Sequence, residues 1–253
     1  MAATPHKTQR IAGIIPARLA STRLPRKVLR EIAGRPLLAW VVDAARACPQ
    51  LDEVIVATDS DEVAALCLRE GWEFRMTSPD LQSGTDRLHA VAQELAPHLG
   101  ANAIYVNIQG DEPLLQPAHI AALLKPFSSE HVQVATIKTP CTPENVDNPN
   151  AVKIVTAADG RALYFSRAKI PYDRDASGSA EYWKHIGLYA YTKAALDRFA
   201  TLPPSRLERT ERLEQLRFLE NGIDIYAEPV DTDTIGVDTE DDLRVVEAIL
   251  RGL

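Results

Sequence analysis

Short apolar runs alternating with amphipathic stretches constrain the first half of this chain more than any other feature. Ile11–Ile15, Glu53–Ala57 and Ala103–Ile108 read as buried strands, with a shorter one at Trp72–Met76. Between them lie helical patterns. Pro36 to Ala47 has proline at its entry, Thr58-Asp59-Ser60-Asp61 caps a helix running to about Glu70, and Ser83-Gly84-Thr85-Asp86 opens another that reaches about His98. A further helix covers about Pro117 to Leu124. Parallel strands need long crossover connections and helices supply them, so this order predicts an α/β fold with a doubly wound, mainly parallel sheet. Ligands of such sheets sit beyond the carboxyl ends of the strands.

The second half changes character. Val132–Lys138, Val152–Thr156, Ala162–Phe165 and Ile186–Tyr191 are short strand candidates separated by Pro, Asn and Gly clusters. They predict a mixed or antiparallel sheet, an inserted subdomain over residues 130–192 of one domain spanning 1–253. Helices return at about Lys193–Ala200 and Leu207–Asn221, the second preceded by Ser205 with Glu208 three positions on, a capping-box pattern. The strand Ile225–Pro229, the turn Gly236-Val237-Asp238-Thr239 and a helix to about Leu250 follow.

With 253 residues, 45% of them hydrophobic, the chain can bury a full core. Its three cysteines are far apart and form no C-x-x-C pair, which argues against a disulfide scaffold or zinc knuckle. The apolar run at Ile11–Ala17 is too short for a secretory or membrane segment. A cytoplasmic protein without membrane insertion is expected.

Two loops after strands carry the chemistry. From Arg18 to Arg35 stand six basic residues (Arg18, Arg23, Arg26, Lys27, Arg30, Arg35) and one acidic, Glu31, on a chain of formal net charge -7. A local basic patch on an acidic protein suits a small, highly charged anion better than nucleic acid. No Walker or dinucleotide-binding glycine pattern is present. Ala17, Ala20 and Ser21 are small enough for backbone N–H groups to approach phosphate, and Arg18, Arg23 and Lys27 can neutralise a triphosphate. A solvated basic loop is the alternative. The second loop, Gln109-Gly110-Asp111-Glu112-Pro113, puts a carboxylate where it can ligate a hard cation or cap the next helix. The Gly236-Val237-Asp238-Thr239 turn has the same ambiguity, since Asp238 or Thr239 could be the N-cap of the last helix, and two such aspartates at strand ends favour a metal site.

Beside these stand Ile14-Ile15-Pro16-Ala17-Arg18, Ser83-Gly84-Thr85-Asp86-Arg87, Ala162-Leu163-Tyr164-Phe165-Ser166-Arg167, Lys184-His185-Ile186-Gly187 and Leu213-Glu214-Gln215-Leu216-Arg217. In this order, over about residues 10 to 250, they resemble the CMP-Kdo synthetases, the 3-deoxy-manno-octulosonate cytidylyltransferases. The resemblance implies a nucleotidyltransferase-type fold and the reaction of CTP with Kdo to CMP-Kdo and diphosphate for lipopolysaccharide biosynthesis. It also implies Mg²⁺, a cytoplasmic setting and a homodimer whose contact comes largely from the inserted mixed sheet. By position, Ala17, Arg18, Ser21, Arg23 and Lys27 would hold the triphosphate. Ser83, Gly84 and Arg87 would lie near the cytosine and sugar, and Asp111 and Asp238 would hold metal. Arg18, Lys27 and Asp111 would carry catalysis. Gln109, Arg167, His185, Tyr189, Glu214 and Gln215 would line the sugar-acid pocket, with Arg167 and His185 as counter-charges to its carboxylate. By themselves these last residues read as packed strand faces and a solvated helix face.

Two positions depart from the family. Arg26 stands where glycine is usual before Lys27, and Ser78 where arginine is common after Met76-Thr77. Sialate-activating relatives carry a Gly-Ser-Lys loop where this chain has Ala20-Ser21-Thr22-Arg23-Leu24-Pro25, which favours Kdo over sialic acid. An 8-amino-Kdo transferase is not separated by these residues. Retention of Arg18, Lys27, Asp111 and Asp238 together argues against a nucleotide-binding homologue without catalysis.

Overall fold

A computed structural model describes residues 9–19, 24–81 and 83–252. The chain divides into two compact units, one formed by residues up to Leu115 with Gly236–Leu253, the other by Gln116–Ile235.

The first unit begins with β1 (Ile11–Ala17), a 3-10 turn at Lys27–Leu29 and a small hairpin of β2 (Glu31–Ile32) and β3 (Arg35–Pro36). There follow α1 (Leu37–Arg46), β4 (Glu53–Thr58), α2 (Asp61–Glu70), β5 (Glu73–Met76), α3 (Gly84–Leu99) and β6 (Ile104–Asn107). Strand order is β6-β1-β4-β5, and every pairing is parallel. β1 lies between β4 and β6, and Ile14 and Ile15, on its opposite faces, are both fully buried. A strand covered on both sides reads as a continuous apolar run, which is why its sequence signal is strong. The hairpin has no comparable signal. Its strands are two residues each, and the turn depends on positive φ at Ala33 and Gly34.

The second unit contains α4 (Pro117–Leu124), β7 (Val134–Pro140), the single turn α5 (Pro143–Val146), β8 (Lys153–Thr156), β9 (Ala162–Ser166) and β10 (Trp183–Thr192). After these come α6 (Lys193–Thr201), α7 (Arg206–Glu211), α8 (Leu216–Glu220) and β11 (Ile225–Pro229). Its sheet is mixed. β11 runs parallel to β7, whereas β10 is antiparallel to β7 and β8, and β8 to β9. The chain then returns to the first unit as α9 (Glu240–Arg251), capped by Thr239 and bearing three acids in its first turn, where the helix dipole favours negative charge.

One expectation is corrected. Leu207–Asn221 is not a single helix but α7 and α8 with a break between them. Arg212 adopts the left-handed conformation (φ 55°) and its N–H closes α7 on the Glu208 carbonyl. Glu214 and Gln215 lie in the break and not on a solvated mid-helix face, and Gln215 is buried.

Candidate active site

Within the first unit the chain runs from β1 outward to β4 and β5, then returns through α3 to place β6 on the other side of β1. The strand order reverses direction at β1, so the loops after β1 and β6 lie at a topological switch point, where ligands of such sheets bind. Arg18 and the Gln109–Pro113 turn emerge at this point. Gly110 is required where the turn after β6 passes close to the end of β1, because a Cβ there would fall 2.7 Å from the Pro16 carbonyl oxygen.

At this edge the Lys27 ammonium joins two carboxylates, with Nζ 2.5 Å from Asp111 Oδ2 and 2.9 Å from Asp238 Oδ1. Three separate elements bring the groups together. Lys27 opens the 3-10 turn, Asp111 follows β6, and Asp238 precedes α9. A backbone bond from Val237 N to the Asp111 carbonyl (2.9 Å) ties the last two loops, and Val237 is fully buried. The capping reading holds for Thr239 and for neither aspartate. Thr239 Oγ1 caps α9 by accepting from Asp242 N, and Gln116 holds the N-cap position of α4, so neither aspartate is used as a helix cap. Burial alone would push the Lys27 amine down. The charges and hydrogen bonds of Asp111 and Asp238 outweigh it and hold the amine above its ordinary value. Mg²⁺ prefers one or two carboxylates completed by phosphate oxygens and water, so by donor chemistry Asp111 and Asp238 fit that ion.

The other residues expected at the nucleotide are placed differently from one another. Ala17 is buried and its carbonyl accepts from Thr58 Oγ1 at 2.7 Å, while Arg18 beyond it is half-buried. Ser21 and Arg23 lie outside the described residues. Ser83 caps α3, its Oγ accepting from Asp86 N while Asp86 accepts from Ser83 N, and Gly84 sits against the Pro16 ring. Arg87 is fully buried and bonds Asp59 and Thr77, each at 2.5 Å. It braces the ends of β4 and β5 and has no exposed surface to offer a ligand. Among the described residues, the Ser78 side chain bonds within its own turn, through Asp80.

Of the residues expected at the sugar acid, Gln109 belongs to the first unit and the others to the second. There His185 and Tyr189 share a face of β10 despite a bulge between Ile186 and Tyr189, because two extra residues preserve the alternation. Their rings lie 5.3 Å apart in an aromatic row that begins at Phe165 and continues through Tyr191 to Phe218. Burial pushes the His185 imidazole down to about 3, and the neighbouring Lys184 charge acts in the same direction. His185 is therefore neutral at pH 7, and the expectation that it supplies a counter-charge is corrected. Its Nε2 lies 3.0 Å from Thr136 Oγ1. Glu214 helps to line a cavity of about 470 Å³ with Glu208, Arg209, Arg212 and Leu213. Reasoning from sequence did not single out Glu211, which accepts from Ser166 Oγ (2.7 Å) and Arg167 N (3.0 Å). Its one sequence signal is the spacing of three from Glu208, which puts both carboxylates on one helical face.

Residues 12–225 match the cytidylyltransferase family profile. The chain belongs to this family. A cytidylyltransferase from Acidobacterium capsulatum, named 3-deoxy-manno-octulosonate cytidylyltransferase, is 63% identical over 240 residues, covering 95% of this chain and 96% of that protein. The protein of the same name from Koribacter versatilis is 59% identical over 244 residues, covering 96% and 91%. A solved structure of CMP:2-keto-3-deoxy-manno-octonic acid synthetase complexed with CTP is 38% identical, with a TM-score of 0.91 over 96% of this chain and 99% of that one. The chain is thus a member of the 3-deoxy-manno-octulosonate cytidylyltransferases and a nucleotidyltransferase.

Proposed function

We propose that this cytidylyltransferase transfers CMP from CTP to the anomeric hydroxyl of Kdo, releasing diphosphate, and so activates the sugar acid for lipopolysaccharide synthesis. The observation that carries the reading is the Lys27 ammonium between Asp111 and Asp238 at the β1/β6 switch point. It is supported by relatives of that name and by the structural match to a synthetase that holds CTP.

In this reading the sugar hydroxyl attacks the α-phosphorus. A new oxygen–phosphorus bond forms as the bond to the bridging oxygen of the β-phosphate breaks, diphosphate leaves in line, and the hydroxyl proton passes to solvent. No protein nucleophile takes part. Arg18 and Lys27 offset charge on the triphosphate and on the leaving diphosphate. Asp111 and Asp238 would hold Mg²⁺, which when bound supplies Lewis-acid stabilisation of phosphate oxygens. In the second unit Arg167 is the permanent cation for the substrate carboxylate, and His185, being neutral, contributes a hydrogen bond. Glu214 and Gln215 face the sugar hydroxyls, and Arg87 acts by positioning, not by contact.

With the family come a cytoplasmic setting and a homodimer. Leu163 and Tyr172, which remain 52% and 84% exposed within residues 130–192, give that segment apolar surface for a second copy. None of the described helices is long and apolar enough to cross a membrane.

The deciding assay measures diphosphate release from each of the four nucleoside triphosphates with Kdo, 8-amino-Kdo or sialic acid, with and without Mg²⁺. Release confined to CTP with Kdo and dependent on Mg²⁺ is the expected result. Preference for 8-amino-Kdo would reassign the acid, and release without added metal after chelation would remove the metal assignment.

A further inference from the structure

The Arg167 side chain is heavily engaged. Its Nε donates to the Glu211 carbonyl at 2.7 Å, one terminal nitrogen to the Pro149 carbonyl at 2.9 Å and the other to the Arg212 carbonyl at 3.4 Å. It therefore pins the end of α7 and the turn before β8. On the far side of that turn the buried Lys153 amine holds the Asn148 and Ala151 carbonyls, at 2.7 and 2.6 Å. Carbonyls 211 and 212 are those exposed where α7 stops and the break carrying Glu214 and Gln215 begins.

A guanidinium has five N–H groups in a rigid plane, so where it points depends on how the backbone beneath it is held. That backbone is held by one carboxylate. Glu211 accepts from Arg167 N through Oε2 at 3.0 Å and from Ser166 Oγ through Oε1 at 2.7 Å, and Ser166 Oγ in turn accepts from Ala168 N at 3.0 Å. The Glu211 residue thus grips Arg167 twice, through its side chain to the main-chain N–H and through its own carbonyl to the guanidinium. The two grips lock the end of β9 to the end of α7.

We infer that Glu211 is a positioning residue of the sugar-acid pocket, fixing Arg167 and the 212–215 break together so that Arg167, Glu214 and Gln215 meet the substrate in one arrangement. This rests on the reading that those three residues line the pocket. Glu211 need not touch substrate. Its work is geometric, and an uncharged group with the same hydrogen-bonding capacity can do it. In Glu211→Gln the amide oxygen can accept from Arg167 N while the amide NH₂ donates to Ser166 Oγ, whose proton rotates away.

The test is steady-state kinetics with Kdo and CTP varied in turn, on Glu211→Ala, Glu211→Gln and Gln215→Ala, with thermal melting of each. Glu211→Ala is expected to raise KM for the sugar acid about tenfold or more while KM for CTP stays within about twofold, since misplacement of binding groups erodes orientation first. Glu211→Gln, which melts close to the parent, is expected to recover most of that loss. An unchanged sugar-acid KM in Glu211→Ala, an equal rise in KM for CTP, or a Gln variant as impaired as Ala would each overturn the inference. If Gln215→Ala also leaves the sugar-acid KM unchanged, the pocket reading falls with it. If Gln215→Ala raises it and Glu211→Ala does not, the positioning role alone is lost.

Discussion

Lys27 sits against the preference of an ammonium for water, with its side chain 13% exposed between two aspartates. Its charge contributes stability fully below the ordinary value of 10.5, and the contribution is lost only as pH rises through its raised folded value. Across the neutral range the ammonium therefore keeps its positive charge between the two carboxyl groups, and removing either of them changes what a triphosphate meets. Asp111→Asn is expected to lower turnover roughly 100-fold or more, as loss of a charge-stabilising group does, while circular dichroism and melting report an intact fold. Near-normal CMP-sugar formation by that variant would remove Asp111 from the reaction. The neighbouring Arg26 accounts for the family's glycine. Its φ of 58° is left-handed, a conformation that glycine adopts freely and a β-branched residue resists. Its ion pair with Glu62 is exposed on both sides and adds little. Arg26→Gly should therefore stay within about 1 kcal/mol of the parent, and Arg26→Val should fall about 1–2 kcal/mol below the glycine variant in urea denaturation. Equal stability of the two would contradict the strain.

At the scale of elements, the break between α7 and α8 is held by two clamps. One is the Arg167–Glu211 lock. The other is the Glu208–Arg217 ion pair, made across the break by Arg217 Nε to Glu208 Oε2 at 2.8 Å and a second contact to Oε1 at 2.5 Å. Both side chains are close to nine-tenths buried. Glu208 also caps α7 with Ser205. Burial would raise its carboxyl, but Arg217 and the Ser205 N–H outweigh that and hold it below its ordinary value. The stability it contributes is present above about pH 4.5 and lost as pH falls below that toward its folded value. Glu208→Ala, which strands the guanidinium, should cost about 3 kcal/mol in denaturant unfolding at pH 7. A loss under 1 kcal/mol would mean that water solvates Arg217 once its partner is gone. The break itself is illegible in sequence for a physical reason. Leu213 and Leu216 keep a helical spacing through it, and Arg212 is no helix breaker by type. What stops α7 is capture of the Glu211 and Arg212 carbonyls by a guanidinium 45 residues or so away. Strands β1 and β6 and helices α2 and α4 were legible because each carries its own signal, an apolar run or a cap.

For the molecule as a whole, two buried histidines contribute to the loss of stability in acid. His185 is folded neutral, with burial pushing it to about 3, and His119, fully buried against Thr232, is lowered by burial as well. A depressed folded value means that unfolding takes up protons once pH falls below about 6.5. Unfolding free energy should therefore drop by about 2 kcal/mol between pH 7.5 and pH 5 from His185 alone, before most carboxylates titrate. Urea unfolding at a series of pH values checks this, and His185→Gln should flatten the slope by that amount. A slope unchanged in the variant would assign the loss to other groups.

The amino-acid sequence by itself determined the α/β class, the longer strands though not the β2–β3 hairpin, most helix ends and the basic and acidic loops, because burial periodicity, caps and turn residues act over a few positions. It also carried enough ordered motifs to resemble the family to which the chain belongs. Tertiary structure alone decided that Asp111 and Asp238, 127 residues apart (238 − 111), meet at one ammonium, that Arg87 is a brace, that His185 is uncharged, and that Glu214 and Gln215 stand in a break. Charge state and reach depend on what distant segments bring alongside a residue, and no local pattern encodes that.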